Sequence, residues 1–350
     1  MFQMVRPSVP PKIPGEILRS VSRSFYLTLA VLPANVREQV GLAYLLARAA
    51  DTLADTDLIP RDVRLKHLGL FREWVLNPQS KDTTLNDIKE VLAPLQEHQA
   101  ERVLLERWED CRGVLESLSS DDQRLIRAVV GTLIQGMQND LSAFPGRAAE
   151  ELTALKTFTE LDQYTYDVAG CVGDYWTRMM CAHRPAFHGW EVEPMVAMGI
   201  RFGKALQLTN ILRDMPADLR RGRCYIPQEM LNEVALRPVD LLKPDALPQL
   251  RPVLTRLLRV ALEHLDQGWL YTMAIPRREL RVRLACIWPI LFAVQTLRRV
   301  SLSPALLDPT VTVKMTRGEV YRDMALASGT LGCGTLLTGY YGHLRKSVAC

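Results

Sequence analysis

The stretch Tyr44-Leu-Leu-Ala-Arg48-Ala-Ala-Asp51-Thr-Leu-Ala-Asp55 sets four polar side chains into an otherwise apolar run. Positions 44, 48, 51 and 55 follow the i, i+4, i+7, i+11 spacing of one helix face, which a strand with its period of two would scatter over both faces. The run therefore reads as a helix carrying one polar stripe. Two carboxylates one turn apart repel each other unless a cation lies between them, and Mg²⁺ is commonly held by one or two carboxylates together with phosphate oxygens. Arg48 is placed to meet the same phosphates with two parallel hydrogen bonds. A helix end running into solvent, with Asp51, Asp55 and Asp57 merely exposed, would give the same pattern.

A second stripe answers the first. In Gln207-Leu-Thr-Asn210-Ile-Leu-Arg213-Asp214-Met-Pro-Ala-Asp218-Leu-Arg-Arg-Gly-Arg223, residues 210, 214 and 218 recur at steps of four with Arg213 beside them. Asn and Asp are poor helix formers to find in register by accident. Asn210 adds a neutral oxygen ligand, and two such stripes could supply the several cations that stabilise charge on a departing diphosphate. Pro216 lies between Asp214 and Asp218, so a kink at Met215 is expected there.

The whole chain agrees with a helical reading. Its 350 residues are 48% apolar, led by Leu, Ala and Val, and its glycines and prolines are scattered. That composition favours a mainly α-helical single domain over many short strands. Helix-type spacing runs through 17–32, 36–54, 62–75, 85–115, 120–144, 158–181, 192–213, 248–274, 279–300 and 319–337, with loops over 183–193 and 220–245. The net charge of +4 is spread without a basic tract, which speaks against a nucleic-acid partner. Seven widely spaced cysteines without a CxxC signal neither zinc nor a disulfide framework.

The proline-rich start reads as a flexible segment over 1–15 ahead of a helical domain over 16–345, and it lacks the apolar run of a signal peptide. A cytoplasmic protein is expected. Met324 to His343 carries no charge apart from its terminal His but holds five glycines. It reads as a core helix or one lying on a membrane surface, which allows peripheral membrane association.

Two further segments bear on chemistry. Ser22-Arg23-Ser24-Phe25 brings two hydroxyls and a guanidinium to the start of a helix-like stretch, a candidate anion site that an ordinary cap would equally explain. Tyr164-Thr-Tyr-Asp167-Val-Ala-Gly170-Cys-Val-Gly173 places small residues at helical steps beside tyrosines, so either another helix or a long ligand could approach closely.

Taken together, SRSFYLTLAVLP (22–33), YLLARAADTLAD (44–55), LIQGMQNDL (133–141), YTYDVAGCVG (164–173) and NILRDMPADLRRGRCYIPQE (210–229) resemble the squalene/phytoene synthase family, in the family's order. The resemblance implies an all-α helical bundle of the isoprenoid synthase type around a central cavity, with the aspartate-rich helices facing each other at its mouth. It implies that Asp51, Asp55, Asn210, Asp214 and Asp218 bind Mg²⁺. Ser22, Arg23, Ser24, Phe25, Arg48, Gln207 and Arg223 would hold the isoprenoid diphosphate substrates, and Tyr164, Tyr44 and Arg213 would serve catalysis. Arg23, Arg48 and Arg213 would meet cofactor and diphosphate charge.

Within the family, Arg178, the Pro227-Gln228-Glu229 turn and the segment Lys314-Met-Thr-Arg317 resemble squalene-forming members, in which Lys314 and Arg317 would bind NADPH. The expectation is head-to-head joining of two farnesyl diphosphates followed by reduction, against a phytoene- or dehydrosqualene-type reaction without NADPH. Ala54 in the first motif, Asp167 beside Tyr164 and Thr316 between the basic residues depart from the family pattern.

Overall fold

Apolar side chains at helical spacing are met by helices almost throughout. The computed structural model describes Leu18 and residues 29–56, 58–80 and 85–348. Among them, strand is confined to β1 (Thr153–Ala154) and β2 (Arg223–Cys224), a parallel pair in which Thr153 faces Arg223. The all-α reading holds. The chain divides into two compact units; the second takes Gln135 onward together with Val31–Pro33.

The first unit holds α1 (Ala34–Asp55), α2 (Arg61–Leu76), α3 (Gln99–Glu106), α4 (Trp108–Ser117) and the start of α5 (Ser120–Ala143). α1 buries Leu42, Leu45, Leu46, Ala49, Ala50 and Leu53, which leaves the Tyr44, Arg48, Asp51 and Asp55 stripe on its other side. Phe71 and Trp74 of α2 stack at 5.5 Å, and Trp108 lies 6.2 Å from Phe71. Arg112 sits 5.0 Å over the Trp74 ring. It also donates to the carbonyls of Asn77 and Pro78, so the end of α2 is closed by a side chain. The expected single helix over 85–115 is instead a π turn (Ile88–Leu92), a 3₁₀ turn (Ala93–Leu95), α3 and α4. Pro94, which has no N–H to donate, lies inside that tight turn.

The second unit is built around α8 (Val192–Arg220), which packs on α7 (Cys171–His183), α10 (Leu247–Ala274) and α11 (Leu280–Leu302). A helix with neighbours on several sides needs apolar and small residues around most of its girth rather than one stripe. Before α7 come α6 (Phe158–Thr165) and a π turn (Tyr166–Gly170). Gly173 and Gly203 let α8 approach closely, since a Cβ on Gly173 would lie 1.9 Å from the Gly199 carbonyl oxygen. Close helix packing, not a ligand, therefore occupies the small-residue face beside Tyr164.

Pro216 does not end α8, which runs on to Arg220, so Asp214 and Asp218 stay one turn apart on continuous helix. Pro216 is buried, and its own carbonyl accepts a 2.7 Å hydrogen bond from Arg220 Nη1. Beyond α8, Gly222 adopts φ +79°, a conformation that glycine takes without steric cost, and turns the chain into β2.

The loop expected over 220–245 also contains α9 (Gln228–Glu233). Segment 319–337 is two helices, α12 (Arg317–Thr330) and α13 (Gly334–Lys346), so 324–343 is not one continuous span. Fully buried Asp323 ties them to α11, accepting from Gln295 Nε2 (3.0 Å) and from Tyr340 (2.9 Å). Among the described residues α11 alone is long and apolar enough to cross a membrane, and 67% of its apolar window is buried, as in a core helix.

Candidate active site

On α1 the four stripe residues are half-buried or exposed among buried Leu and Ala. Arg48 pairs with Asp51 and with Glu101 of α3, so the guanidinium bridges two carboxylates. Burial opposes its charge, yet Asp51 and Glu101 hold the Arg48 pKa above its ordinary value. Burial and then the Asp55 carboxylate, against the pull of Arg48, push Asp51 up to about 6.

On α8, Gln207, Asn210, Arg213, Asp214 and Asp218 share one half-buried face. Arg213 pairs with its neighbour Asp214, Nε to Oδ1 at 2.8 Å. Asn210 Nδ2 approaches Gln207 Oε1 at 3.5 Å. Asp218 is pushed up to about 7 by burial first and Asp214 second, against Arg223 and Arg221.

Beside this face lies a polar chain that sequence reasoning did not assemble. Tyr164 donates to the Tyr225 hydroxyl at 3.3 Å, and their rings stack at 4.8 Å. Tyr225 donates to Asp140 Oδ1 at 2.7 Å, and Arg223 Nη1 lies 3.1 Å from Asp140 Oδ2. Asp140 belongs to the LIQGMQNDL segment and Tyr225 follows Arg223 by two residues, but no spacing rule links residues so far apart in the chain. Glu101 was missed for the same reason. The departure at Asp167 has a local partner set: it is buried and accepts from Gln163 (2.8 Å) and Asn139 (3.4 Å).

Lys314 and Arg317 are exposed at the start of α12. Thr316 between them is the cap, accepting from Glu319 N (3.3 Å) while Glu319 Oε2 accepts from Thr316 N (2.8 Å). Arg178 is held by Asp174 (2.6 Å) and Glu193 (3.0 Å), which straps α7 to the start of α8. Glu229 accepts from Phe158 N at 2.6 Å and so anchors the start of α6. Ser22, Arg23, Ser24 and Phe25 lie outside the described residues, as does the 1–15 segment.

The donor sets suit Mg²⁺. Among the described residues no three His, Cys, Asp or Glu side chains gather as a protein-only metal cage. Each stripe offers a carboxylate pair, the number that Mg²⁺ takes when waters and substrate phosphates complete its octahedron. Ionised carboxyls held above their unfolded pKa of about 4 cost stability. Protonated, they carry no such cost, so the stability they permit is full below that value and is lost as pH rises through about 6 for Asp51 and about 7 for Asp218. Magnesium should therefore raise the melting temperature by more at pH 8 than at pH 5, by about 3–5 °C at saturation. Thermal melts with and without the metal at both pH values check this, and equal shifts would remove the carboxylates from the binding reaction.

The profile of the squalene/phytoene synthase family matches residues 18–319. The chain is 27% identical to the squalene synthase of Saccharomyces cerevisiae over 336 residues, 95% of this chain and 71% of that protein. It is also 27% identical to a bifunctional lycopene cyclase/phytoene synthase of Phaeosphaeria nodorum, over 75% of this chain and 42% of that one. A solved structure of TcSQS with the ligand E5700 superposes with a TM-score of 0.70 at 22% identity, covering 95% of each chain, which shows the shared fold. The chain belongs to the squalene/phytoene synthase family and is an enzyme of the prenyl transferase type.

Proposed function

We propose that this enzyme joins two farnesyl diphosphates head to head, through presqualene diphosphate, and reduces the product to squalene with NADPH. The observation that carries the head-to-head reading is the pair of acidic stripes, each with two aspartates one helical turn apart and an arginine beside them. In this reading Asp51, Asp55, Asn210, Asp214 and Asp218 hold magnesium, which when bound offsets the charge developing on the departing diphosphate. Arg48 and Arg213, each already paired with a carboxylate, can turn to phosphate oxygens without leaving an isolated buried charge. Tyr44 and Gln207 share those faces, and with Arg223 of β2 they orient the diphosphates. Tyr164 stands by the developing carbocation, where a desolvated aromatic face contributes about 2 kcal/mol.

The reductive step rests on Lys314 and Arg317, which bring two cations to one helix start suited to an anionic phosphate. NADPH would supply the hydride. Lys314→Ala or Arg317→Ala is expected to raise the apparent KM for NADPH roughly tenfold and to leave the first condensation unchanged. A second reading, phytoene or dehydrosqualene synthesis without reduction, is favoured by the equal identity to the phytoene synthase relative. Product analysis from farnesyl and geranylgeranyl diphosphate, each with and without NADPH, separates them: squalene appearing only with NADPH supports the first. One product at one rate in both conditions replaces it with the second.

A further inference from the structure

Resting on the head-to-head reading above, we infer that Asp140, acting through Tyr225, orients the Tyr164 hydroxyl and is the final acceptor of the proton lost at ring closure. Asp140 and Tyr225 are 8% and 7% exposed and Tyr164 is half-buried, so the chain runs from the least sheltered of the three groups inward to a buried carboxylate. The donor directions are ordered. Tyr225 gives its proton to Asp140 Oδ1 and Tyr164 gives its own to Tyr225, so the Tyr164 oxygen keeps acceptor capacity of its own. Arg223 occupies Asp140 Oδ2, which keeps Oδ1 for Tyr225. The stacked Tyr164 and Tyr225 rings, with Phe144 edge-on to Tyr225 at 4.9 Å, hold the phenols in place. Burial before all else raises the pKa of both phenols, so they relay protons rather than standing ionised.

Capture of the allylic cation by the double bond of the second substrate leaves a tertiary cation. A neighbouring C–H bond breaks and its electron pair closes the cyclopropane. The proton passes to the Tyr164 oxygen, the Tyr164 proton to Tyr225, and the Tyr225 proton to Asp140, which ends neutral. The free acceptor capacity of the Tyr164 oxygen also favours the cation before the proton leaves. Asp140 and Tyr225 are thus positioning residues that act through Tyr164.

The test uses the full chain with farnesyl diphosphate and Mg²⁺, without NADPH, and measures formation of the cyclopropylcarbinyl diphosphate and of prenyl alcohols. Tyr225→Phe keeps the ring stack and removes only the link. It should lower kcat roughly 10²-fold, the low end of what a positioned proton acceptor contributes, with KM within about twofold. Alcohols formed by water capture should rise. Asp140→Asn should behave alike, Asp140→Glu should recover part of the loss, and the double variant should be no worse than Tyr225→Phe alone. Wild-type kcat and products in Tyr225→Phe, or losses that multiply in the double variant, would overturn the inference. Wild-type enzyme forming no cyclopropyl product would instead overturn the parent reading.

Discussion

Asp214→Ala and Asp51→Ala are each expected to lower turnover by about 10²–10³-fold, the scale on which one electrostatic partner of a developing anion acts. The metal-free fold should scarcely notice. Asp214 is 45% exposed at its side chain and its partner Arg213 can reach water, so its loss leaves no buried orphan charge. It also removes the carboxylate that, after burial, does most to raise the pKa of Asp218. Losing Asp51 leaves Arg48 its other partner, Glu101. Melting temperatures without magnesium should stay within about 2 °C of wild type, as for exposed substitutions generally. The magnesium-dependent rise should shrink or vanish. Steady-state rates together with melts in both conditions check this, and full activity in either variant would end the metal assignment for that stripe.

Gly173→Ala should be among the most destabilising single-methyl changes this protein admits. The added Cβ would lie 1.9 Å from the Gly199 oxygen, 2.2 Å from its carbonyl carbon and 2.8 Å from the Ile200 nitrogen, all backbone atoms of α8. A side-chain obstacle could change rotamer, but here two helices must separate. The loss should reach or exceed about 3 kcal/mol, the upper end of ordinary overpacking. Gly203 repeats the geometry one turn on, with its Cβ 2.2 Å from the Ala169 oxygen, so Gly203→Ala should follow. Gly318, with nothing within 4 Å, is the matched control and should change little. Chemical denaturation gives the comparison. A midpoint for Gly173→Ala equal to wild type would mean that α7 and α8 do not meet as described. Because α8 carries Asn210, Asp214 and Asp218, displacing it should lower the activity of the folded fraction as well as the amount folded.

Local order set much of what was legible. The stripes on α1 and α8 could be read because a helix face is a function of spacing alone, and the same rule located α2, α5, α10 and α11 within a few residues. Where helices were misjudged, the cause was context. Pro216 was expected to kink α8, yet a proline costs one donor and some strain, and burial on several sides outweighs that cost. The run 85–115 looked continuous because its apolar residues keep helical spacing, but Pro94 and the packing of Trp108 on Phe71 break it into separate turns.

The amino-acid order by itself determined the helical class, the position of both carboxylate pairs and the family's motifs, since each depends on residues within a few turns of one another. Whether Gly170 and Gly173 face a ligand or a helix was left open by spacing, and only the approach of α8 decided it. The same holds for Asp140, Tyr225 and Tyr164. A hydrogen bond between residues 85 positions apart in the chain is set by how α5, the turn after α8 and α6 pack together. Such a contact has no period to read, because it is the summed burial of three elements, not any local preference, that brings the groups within reach.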